Sequence, residues 1–183
     1  MLVLTGKSAS GKDTIVNSLI KKYGFKKLIT YTTRPMRKNE INGVTYHYIS
    51  DEEFFNKVEN GFFAEWKKYK TTQGIWYYGS AIEDYAKSDN NTVIILTPDG
   101  IRDIKKLGFK DIKIFYIFSD KGTIKKRLSI RGDNPDEVIR RMEKDDEDFK
   151  DITNLVDEII MNTFNSKISS VVNEIYSLYK KRI

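Results

Sequence analysis

The feature that most constrains the fold of this chain is its N-terminal segment, MLVLTGKSASGKDT. An apolar run at residues 2–4 leads into the pattern Gly6-x-x-x-x-Gly11-Lys12, after which a helical pattern begins. A strand, a glycine-rich turn and a helix in this order are typical of a phosphate-binding loop, whose backbone N–H groups and helix N-terminus attract phosphate oxygens. A turn without function could share the spacing, but the complete pattern in this context favours a bound ATP or GTP.

The expected triphosphate site is the run of residues Gly6, Lys7, Ser8, Ala9, Ser10, Gly11, Lys12, Asp13 and Thr14. Lys12 would reach the outer phosphates as a mobile positive charge. Position 13 departs from the usual pattern, because a Ser or Thr normally follows the lysine and lends a hydroxyl to Mg²⁺. An aspartate there could hold Mg²⁺ directly or through water, although it also adds negative charge near the phosphates.

The composition indicates a single folded domain. The chain has 183 residues, of which 39% are hydrophobic and 32% are charged, enough to bury a sizeable core. Cysteine is absent, so disulfides and thiolate metal sites are excluded. No apolar stretch approaches the roughly 20 residues that span a membrane, and the N-terminus lacks a signal-peptide pattern. We therefore expect a cytoplasmic protein without a membrane partner.

The formal charge of +6 is compatible with nucleic acid or with small polyanions such as nucleotides. Many lysines occur in scattered pairs, for which a solvated surface is the favoured interpretation. No recognition-helix or RNA-binding signature is present, so nucleic acid is the weakest of the partners considered. The expected partners are small-molecule nucleotides, and the chain is expected to be a monomer or a homodimer.

Short apolar runs alternate with helical patterns along the chain. The predicted strands cover residues 2–4, 25–29, 92–96, 112–118 and 158–161, and the predicted helices cover 12–23, 98–107, 120–130, 135–150 and 164–180. This alternation predicts an α/β fold with a parallel sheet covered by helices on both faces. Residues 30–88 interrupt the rhythm and are rich in aromatic residues, which indicates a small inserted lobe.

A second motif lies inside this aromatic segment. Arg34 and Arg37 stand three residues apart and are followed by Gly43 and Tyr46. The planar guanidinium group offers paired donors that match phosphate oxygens, so the two arginines could converge on one phosphate. An exposed basic loop would have the same spacing, and the spacing alone leaves both interpretations open.

The run TTRPMRKNEINGVTYHY resembles the GMP-binding signature of guanylate kinases. Further segments match the family in order: FFAEWKKY, WYYGS, the lid-like IKKRLSIRGDNPDEVIRRM and IIMN. The resemblance covers essentially the whole chain. It implies one domain (1–183) with the fold of a P-loop kinase: a three-layer sandwich with a central parallel five-stranded sheet (1–29 and 89–183), a small mixed NMP-binding lobe (about 30–88) and a helical lid (about 127–141).

The resemblance also implies roles for individual residues. The acceptor GMP would be held by Thr30, Arg34, Arg37, Tyr46, Glu65, Tyr78, Ser80 and Asp99. Among these, Glu65 would accept hydrogen bonds from guanine N1–H and the 2-amino group. Lys12, Arg37, Arg131 and Arg141 would act on the transferring phosphoryl group, and Arg127 and Asn162 would contribute to ATP binding.

Plainer interpretations exist for several of these residues. Taken alone, Glu65 would be a surface carboxylate. The arginines of the lid-like segment would belong to a solvated helical face near Asp145 and Asp146; they are Arg127, Arg131, Arg140 and Arg141. His47, the sole histidine, is expected to be structural because it lies in an aromatic strand pattern.

The chain departs from the family at three places. Asp13 replaces the Mg²⁺-binding hydroxyl residue. The family's Asp-x-Asp-x-Gln-Gly appears as Thr97-Pro-Asp99-Gly, and the connection KTTQGI before Trp76 is longer than usual. A carboxylate moved from position 97 to position 13 could preserve the number of acidic groups around Mg²⁺, so Asp13 and Asp99 are the candidate metal ligands.

The expected function is therefore phosphoryl transfer from ATP to GMP or dGMP, giving ADP and GDP or dGDP, with Mg²⁺ as cofactor. One alternative is a kinase of other or broader deoxynucleoside or nucleoside monophosphates, suggested by the GKDT turn and the altered pocket connection. Another is a guanylate kinase-like binding module with weak catalysis. The retained Lys12 and lid arginines argue against the binding module.

Overall fold

The chain forms two separate β-sheets, one parallel and one mixed. The computed structural model describes residues 1–71, 74–109, 111–132 and 134–183. Thr72 and Gln73 of the KTTQGI connection and Asp133 of the lid-like segment lie outside the described residues. The contacts divide the chain into one unit of Met1–Lys27, Asn90–Ile101 and Asp111–Ile183, and a second unit of Leu28–Asp89 and Arg102–Lys110.

In chain order the elements are β1 (Leu2–Thr5), α1 (Lys12–Tyr23), β2 (Lys26–Lys27), β3 (Tyr31–Thr32), β4 (His47–Tyr48), α2 (Asp51–Glu59), β5 (Phe63–Thr71), β6 (Gly74–Ala81), α3 (Ile82–Ala86), β7 (Thr92–Ile95), α4 (Pro98–Lys106), β8 (Lys113–Phe118), α5 (Lys121–Arg131), α6 (Pro135–Asp148), a 3₁₀ helix (Ile152–Asn154), β9 (Glu158–Met161) and α7 (Ile168–Lys180). The predicted strands and helices of the parallel unit are confirmed, with ends that differ by up to four residues.

The first unit contains the parallel sheet, with strand order β2-β7-β1-β8-β9. The central strand β1 pairs with β7 and β8, and Leu4 lies opposite Ile95 on one side and Phe115 on the other. Connections between parallel strands need crossovers, and helices supply them here. The apolar side chains of β1, α1 and α7 form one core cluster on this sheet.

The helices of the parallel unit begin and end at residues suited to those positions. Gly24 ends α1 in the left-handed conformation (φ 70°) and donates its N–H to the Ile20 carbonyl, as expected for a glycine beyond a helix C-terminus. Asp120 begins α5, and its side chain accepts the N–H of Thr123. No helix in the described part of the chain is both long and apolar enough to cross a membrane.

The second unit contains the mixed sheet, with strand order β4-β3-β6-β5. The long strands β5 and β6 pair antiparallel, and a register shift lies between Phe63 and Glu65. The sequence interpretation missed α2 in this unit. A capping pattern does precede it, because the Ser50 side chain accepts the N–H of Glu53, and Ser followed by Glu three residues later marks a helix start.

An aromatic cluster forms the interior of the second unit. Phe54 is fully buried on α2. Its ring stacks on that of Phe63 with centroids 4.7 Å apart and lies 5.6 Å from that of Tyr77. The neighbouring Phe55 remains 38% exposed.

We predict that Phe54→Ala lowers the free energy of unfolding by about 3–5 kcal/mol, because it removes a buried ring and leaves a cavity. Phe55→Ala is the matched control and should cost less than half as much, since its ring already contacts solvent. Urea unfolding of both variants measures the difference. Equal losses in the two variants would contradict the prediction that the buried Phe54 stabilises this unit more than Phe55 does.

Candidate active site

The glycine-rich loop between β1 and α1 depends on close approaches that only glycine permits. A Cβ at Gly6 would lie 2.6 Å from the Ile117 carbonyl oxygen, and one at Gly11 would lie 2.6 Å from Nδ2 of Asn162. Gly11 also has φ +94°, a conformation that other residues rarely adopt. The two glycines of the sequence motif are therefore both required by the geometry of the loop.

Lys12 begins α1, and its ammonium group is turned into the loop. Its Nζ donates to the carbonyl oxygens of Gly6 (2.6 Å) and Lys7 (2.9 Å). Burial lowers the pKa of Lys12 to about 8, while the carboxylates of Asp13 and Asp145 oppose that shift. The positive charge of Lys12 therefore lies within the glycine-rich loop.

Two aspartates of α6 contact this loop, and sequence analysis gave them no role. The backbone N–H of Ser8 donates to Oδ2 of Asp145 at 2.6 Å. Asp146 forms ion pairs with Lys7 and with Lys121. Hydrogen bonds from Lys121 and then Lys7 lower the pKa of Asp146 to about 2, so this carboxylate is ionised at neutral pH.

Arg127 and Asn162 lie against the carbonyl side of the loop. Arg127 Nη1 donates to the Ala9 carbonyl at 3.2 Å, and its Nη2 donates to the Thr163 carbonyl at 3.0 Å. The buried Asn162 donates its side-chain amide to the Ser10 carbonyl at 2.8 Å. Both side chains therefore brace the loop, and the predicted contact of Asn162 with adenine stays a prediction.

The two other arginines predicted to act on the transferring phosphoryl group from the lid-like segment belong to helices of the same unit. Arg131 is the last residue of α5 and is exposed, and Arg141 lies within α6 and is partly buried. Arg141 therefore shares a helix with Asp145 and Asp146, the two residues that contact the loop.

Arg34 is the centre of a polar cluster in the second unit. Its side chain is only 5% exposed and donates from Nη2 to Oε1 of Glu40 at 2.7 Å. The other oxygen of Glu40 accepts the N–H of Arg37 (2.8 Å) and the hydroxyl of Tyr48 (2.7 Å). These bonds, led by the one from Arg34, lower the pKa of Glu40 to about 2. The Glu40 side chain thus fixes the Arg34 guanidinium group.

Of the other residues predicted to hold the acceptor phosphate, Tyr46 and Tyr78 lie close to this cluster. The Tyr46 ring centroid is 5.6 Å from the guanidinium carbon of Arg34 and 5.8 Å from the ring centroid of Tyr78. The Arg37 side chain is exposed. The structure thus brings Arg34, Tyr46 and Tyr78 together, and sequence analysis missed the carboxylate that joins Arg34 to the backbone of Arg37.

Glu65 and Ser80 form a hydrogen-bonded pair across the β5–β6 ladder. The fully buried Ser80 donates its hydroxyl to Oε1 of Glu65 at 2.5 Å, and the Tyr85 hydroxyl lies 2.9 Å from the same Ser80 oxygen. Burial raises the pKa of Glu65 to about 7, and the charge of Asp103 adds to that shift. The carboxylate is therefore not an ordinary surface group.

Thr30 and His47 lie at the edge of the same sheet. The Thr30 carbonyl accepts the N–H of His47 at 2.8 Å. The His47 ring stacks on that of Tyr31 with centroids 4.5 Å apart, which fits the structural role expected for this histidine.

The candidate magnesium ligands Asp13 and Asp99 are both exposed and lie near the start of helices α1 and α4. Thr97 has no carboxylate to offer, and its hydroxyl accepts the N–H of Gly100 at 3.1 Å. Among the described residues no three His, Cys, Asp or Glu side chains gather into a metal cage. Exposed single carboxylates fit Mg²⁺, which keeps most of its waters and is usually bound by one or two carboxylates with substrate phosphates.

A parallel sheet whose central strand runs into a glycine-rich, lysine-bearing loop defines a P-loop nucleotide-binding protein. The family model for guanylate kinase matches residues 1–178. Among curated proteins, the guanylate kinase of Symbiobacterium thermophilum is 30% identical over 147 residues, covering 78% of this chain and 68% of that protein. The guanylate kinase of Malacoplasma penetrans is 29% identical, covering 88% of this chain and 84% of that protein.

The crystal structure of guanylate kinase from Anaplasma phagocytophilum matches this fold with a TM-score of 0.72 at 18% identity, covering 99% of this chain and 84% of that one. The chain belongs to the guanylate kinase family, and it is a nucleoside monophosphate kinase. The predicted family, fold class and kinase activity are confirmed. The roles of individual site residues stay predictions.

Proposed function

We propose that this enzyme transfers the terminal phosphoryl group of ATP to GMP or dGMP, giving ADP and GDP or dGDP. The pair of Glu65 and Ser80 is the observation that carries this proposal. Guanine presents two adjacent donors, N1–H and the 2-amino group, which match one carboxylate. Adenine presents an acceptor at N1, so it would leave the carboxylate of Glu65 without a matching donor.

The acceptor phosphate is assigned to the Arg34 cluster. Arg34 is held by Glu40 with its ring neighbours Tyr46 and Tyr78 close by, so its planar donors are set before a ligand binds. The exposed Arg37 adds a second cation three residues along. Thr30 and Ser80 complete the proposed acceptor site, together with Asp99.

The donor phosphates are assigned to the loop of residues 6–14. Backbone N–H groups, the N-terminus of α1 and the ammonium group of Lys12 would bind them. Arg127 and Asn162 support the loop from its carbonyl side, and Arg131 and Arg141 would stabilise the negative charge on the transferring group.

The proposed mechanism is direct in-line transfer without a covalent intermediate. The protein contributes positioning of the two phosphates and stabilisation of charge by Lys12, Arg131 and Arg141. Mg²⁺, held by Asp13 and Asp99 with substrate oxygens and water, would neutralise part of the phosphate charge.

The proposed substrate is tested by a panel of monophosphates assayed with ATP and Mg²⁺. We expect turnover of GMP and dGMP, and a loss of kcat/KM for GMP on the order of 100-fold in Glu65→Gln, because an amide NH₂ would face the guanine donors. Glu83→Gln on the exposed face of α3 is the matched control and should retain activity. Turnover of another monophosphate in place of GMP and dGMP would overturn the proposal and favour the broader kinase.

The proposed metal role of Asp13 is tested by Asp13→Ala. We expect the Mg²⁺ concentration for half-maximal turnover to rise on the order of 10-fold, because a potential ligand is lost. Asp51→Ala is a suitable control, since Asp51 is likewise an exposed acid in the first turn of a helix. An unchanged Mg²⁺ dependence in Asp13→Ala would show that this carboxylate does not replace the usual hydroxyl.

A further inference from the structure

The hydroxyl of Tyr85 extends the Glu65–Ser80 pair into a chain of three groups. Tyr85 lies on α3, is 4% exposed and stacks on Phe109 with ring centroids 5.1 Å apart. Its hydroxyl is 2.9 Å from Oγ of Ser80, which donates to Glu65. None of the roles proposed above uses this buried hydroxyl.

The direction of the hydrogen bonds follows from the number of protons available. An ionised carboxylate only accepts, and Ser80 has a single hydroxyl proton, so that proton points to Glu65. The Ser80 oxygen must then accept from Tyr85. The chain therefore runs from the Tyr85 hydroxyl through Ser80 to Oε1 of Glu65, with both protons directed toward the carboxylate.

We propose that Tyr85 is a positioning residue for base recognition, because it fixes the Ser80 hydroxyl in the orientation that supports Glu65 as an acceptor. This inference rests on the proposed function of Glu65. Tyr85 acts through Ser80, so its loss changes how well the carboxylate accepts hydrogen bonds. The phosphate-binding groups remain intact in its absence.

The charged groups around Glu65 affect its pKa, and this pKa provides a way to test the proposal. Asp103 on α4 disfavours the ionised carboxylate, and Lys67 and the Ser80 hydroxyl favour it. Removing the Tyr85 hydroxyl frees Ser80 to turn and weakens its bond to the charged form. The pKa of Glu65 then rises above its value of about 7, and guanine binding weakens most where the carboxylate becomes protonated.

The test compares Tyr85→Phe with the wild type from pH 6 to pH 9. We expect KM for GMP to rise about threefold to tenfold near pH 6.5, the range for one hydrogen bond, and to recover at high pH, while kcat changes little. Tyr116→Phe is the matched control, because Tyr116 is 5% exposed and stacks on Phe149 at 5.6 Å. The phosphate of GMP titrates alike in all three assays, so it does not contribute to the differences.

An unchanged KM profile in Tyr85→Phe, or an equal change in Tyr116→Phe, would overturn the proposal. The pKa of the Glu65 carboxyl group, measured by carbon NMR in ligand-free protein, tests the role of Tyr85 separately from the proposed function. The proposal requires a higher pKa of Glu65 in Tyr85→Phe than in the wild type, whether or not GMP is the substrate. Failure of the wild type to use GMP would overturn only the proposed function.

A separate observation in the parallel unit concerns Asp145. Its carboxylate already accepts the Ser8 N–H within the glycine-rich loop at 2.6 Å. The adjacent Asp146 pairs with Lys7 of the loop and with Lys121, which ties this part of α6 to the loop. The Ser8 N–H has a single proton, so it cannot donate to the Asp145 carboxylate and to a phosphate oxygen at the same time.

We infer that Asp145 competes with the donor phosphates for the Ser8 N–H and so sets the affinity for ATP. This inference rests on the proposed role of the loop as the donor site. A triphosphate must displace the carboxylate and then bind near its negative charge. Both effects weaken binding, and both depend on the charge of Asp145.

Asp145→Asn tests this competition because an amide oxygen can still accept the Ser8 N–H without a negative charge. We expect Kd for ATP and for inorganic tripolyphosphate, measured by calorimetry without a monophosphate, to fall about threefold to tenfold. Asp148→Asn on the same helix, where Asp148 pairs with Lys144 at 2.9 Å, should leave Kd unchanged. An unchanged or higher Kd in Asp145→Asn would overturn the inference. Failure to use GMP would leave this measurement unaffected.

Discussion

The burial of β1 between β7 and β8 is the constraint on which the nucleotide-binding loop depends. Leu2, Val3 and Leu4 are fully buried, and the strand is hydrogen-bonded on both sides. The chain therefore leaves the sheet at one fixed position. The loop must then pass close to the backbone of β8, where Gly6 approaches the Ile117 carbonyl. A less firmly held strand would leave the loop's N–H groups without a defined direction.

Local sequence signals were sufficient to predict the parallel unit. The strand at residues 158–161 and the helix at residues 12–23 have the predicted bounds, because buried parallel strands are short apolar runs and the helix ends at a glycine. The mixed unit was harder. The aromatic strand pattern around His47 did indicate β4. The strand β3 contains only two residues, too few for a periodic pattern, and the sequence interpretation missed the capping signal before α2.

The site was predictable only where residues lie close together in the sequence or match a family motif. Arg34 was a candidate from its spacing with Arg37, and Glu65 and Ser80 were candidates through the resemblance; their roles stay predictions. Asp145 and Ser8 are 137 positions apart, and no local pattern pairs a particular carboxylate with a particular backbone N–H over that distance. The contact of Tyr85 with Ser80 could likewise not be predicted from the sequence, because a buried tyrosine on a short helix gives no periodic pattern. Contacts of this kind follow from the tertiary fold alone.

The irregular pairing of β5 also determines which side chains of that strand share a face. Phe63 pairs with Ala81 and Glu65 pairs with Ser80, so three residues of β5 face two of β6. In a regular strand Phe63 and Glu65, two positions apart, would lie on the same face. The bulge instead places Phe63 on the face of Ala81 and Glu65 on the opposite face, with Ser80. One extra residue in the strand therefore separates the aromatic core from the carboxylate.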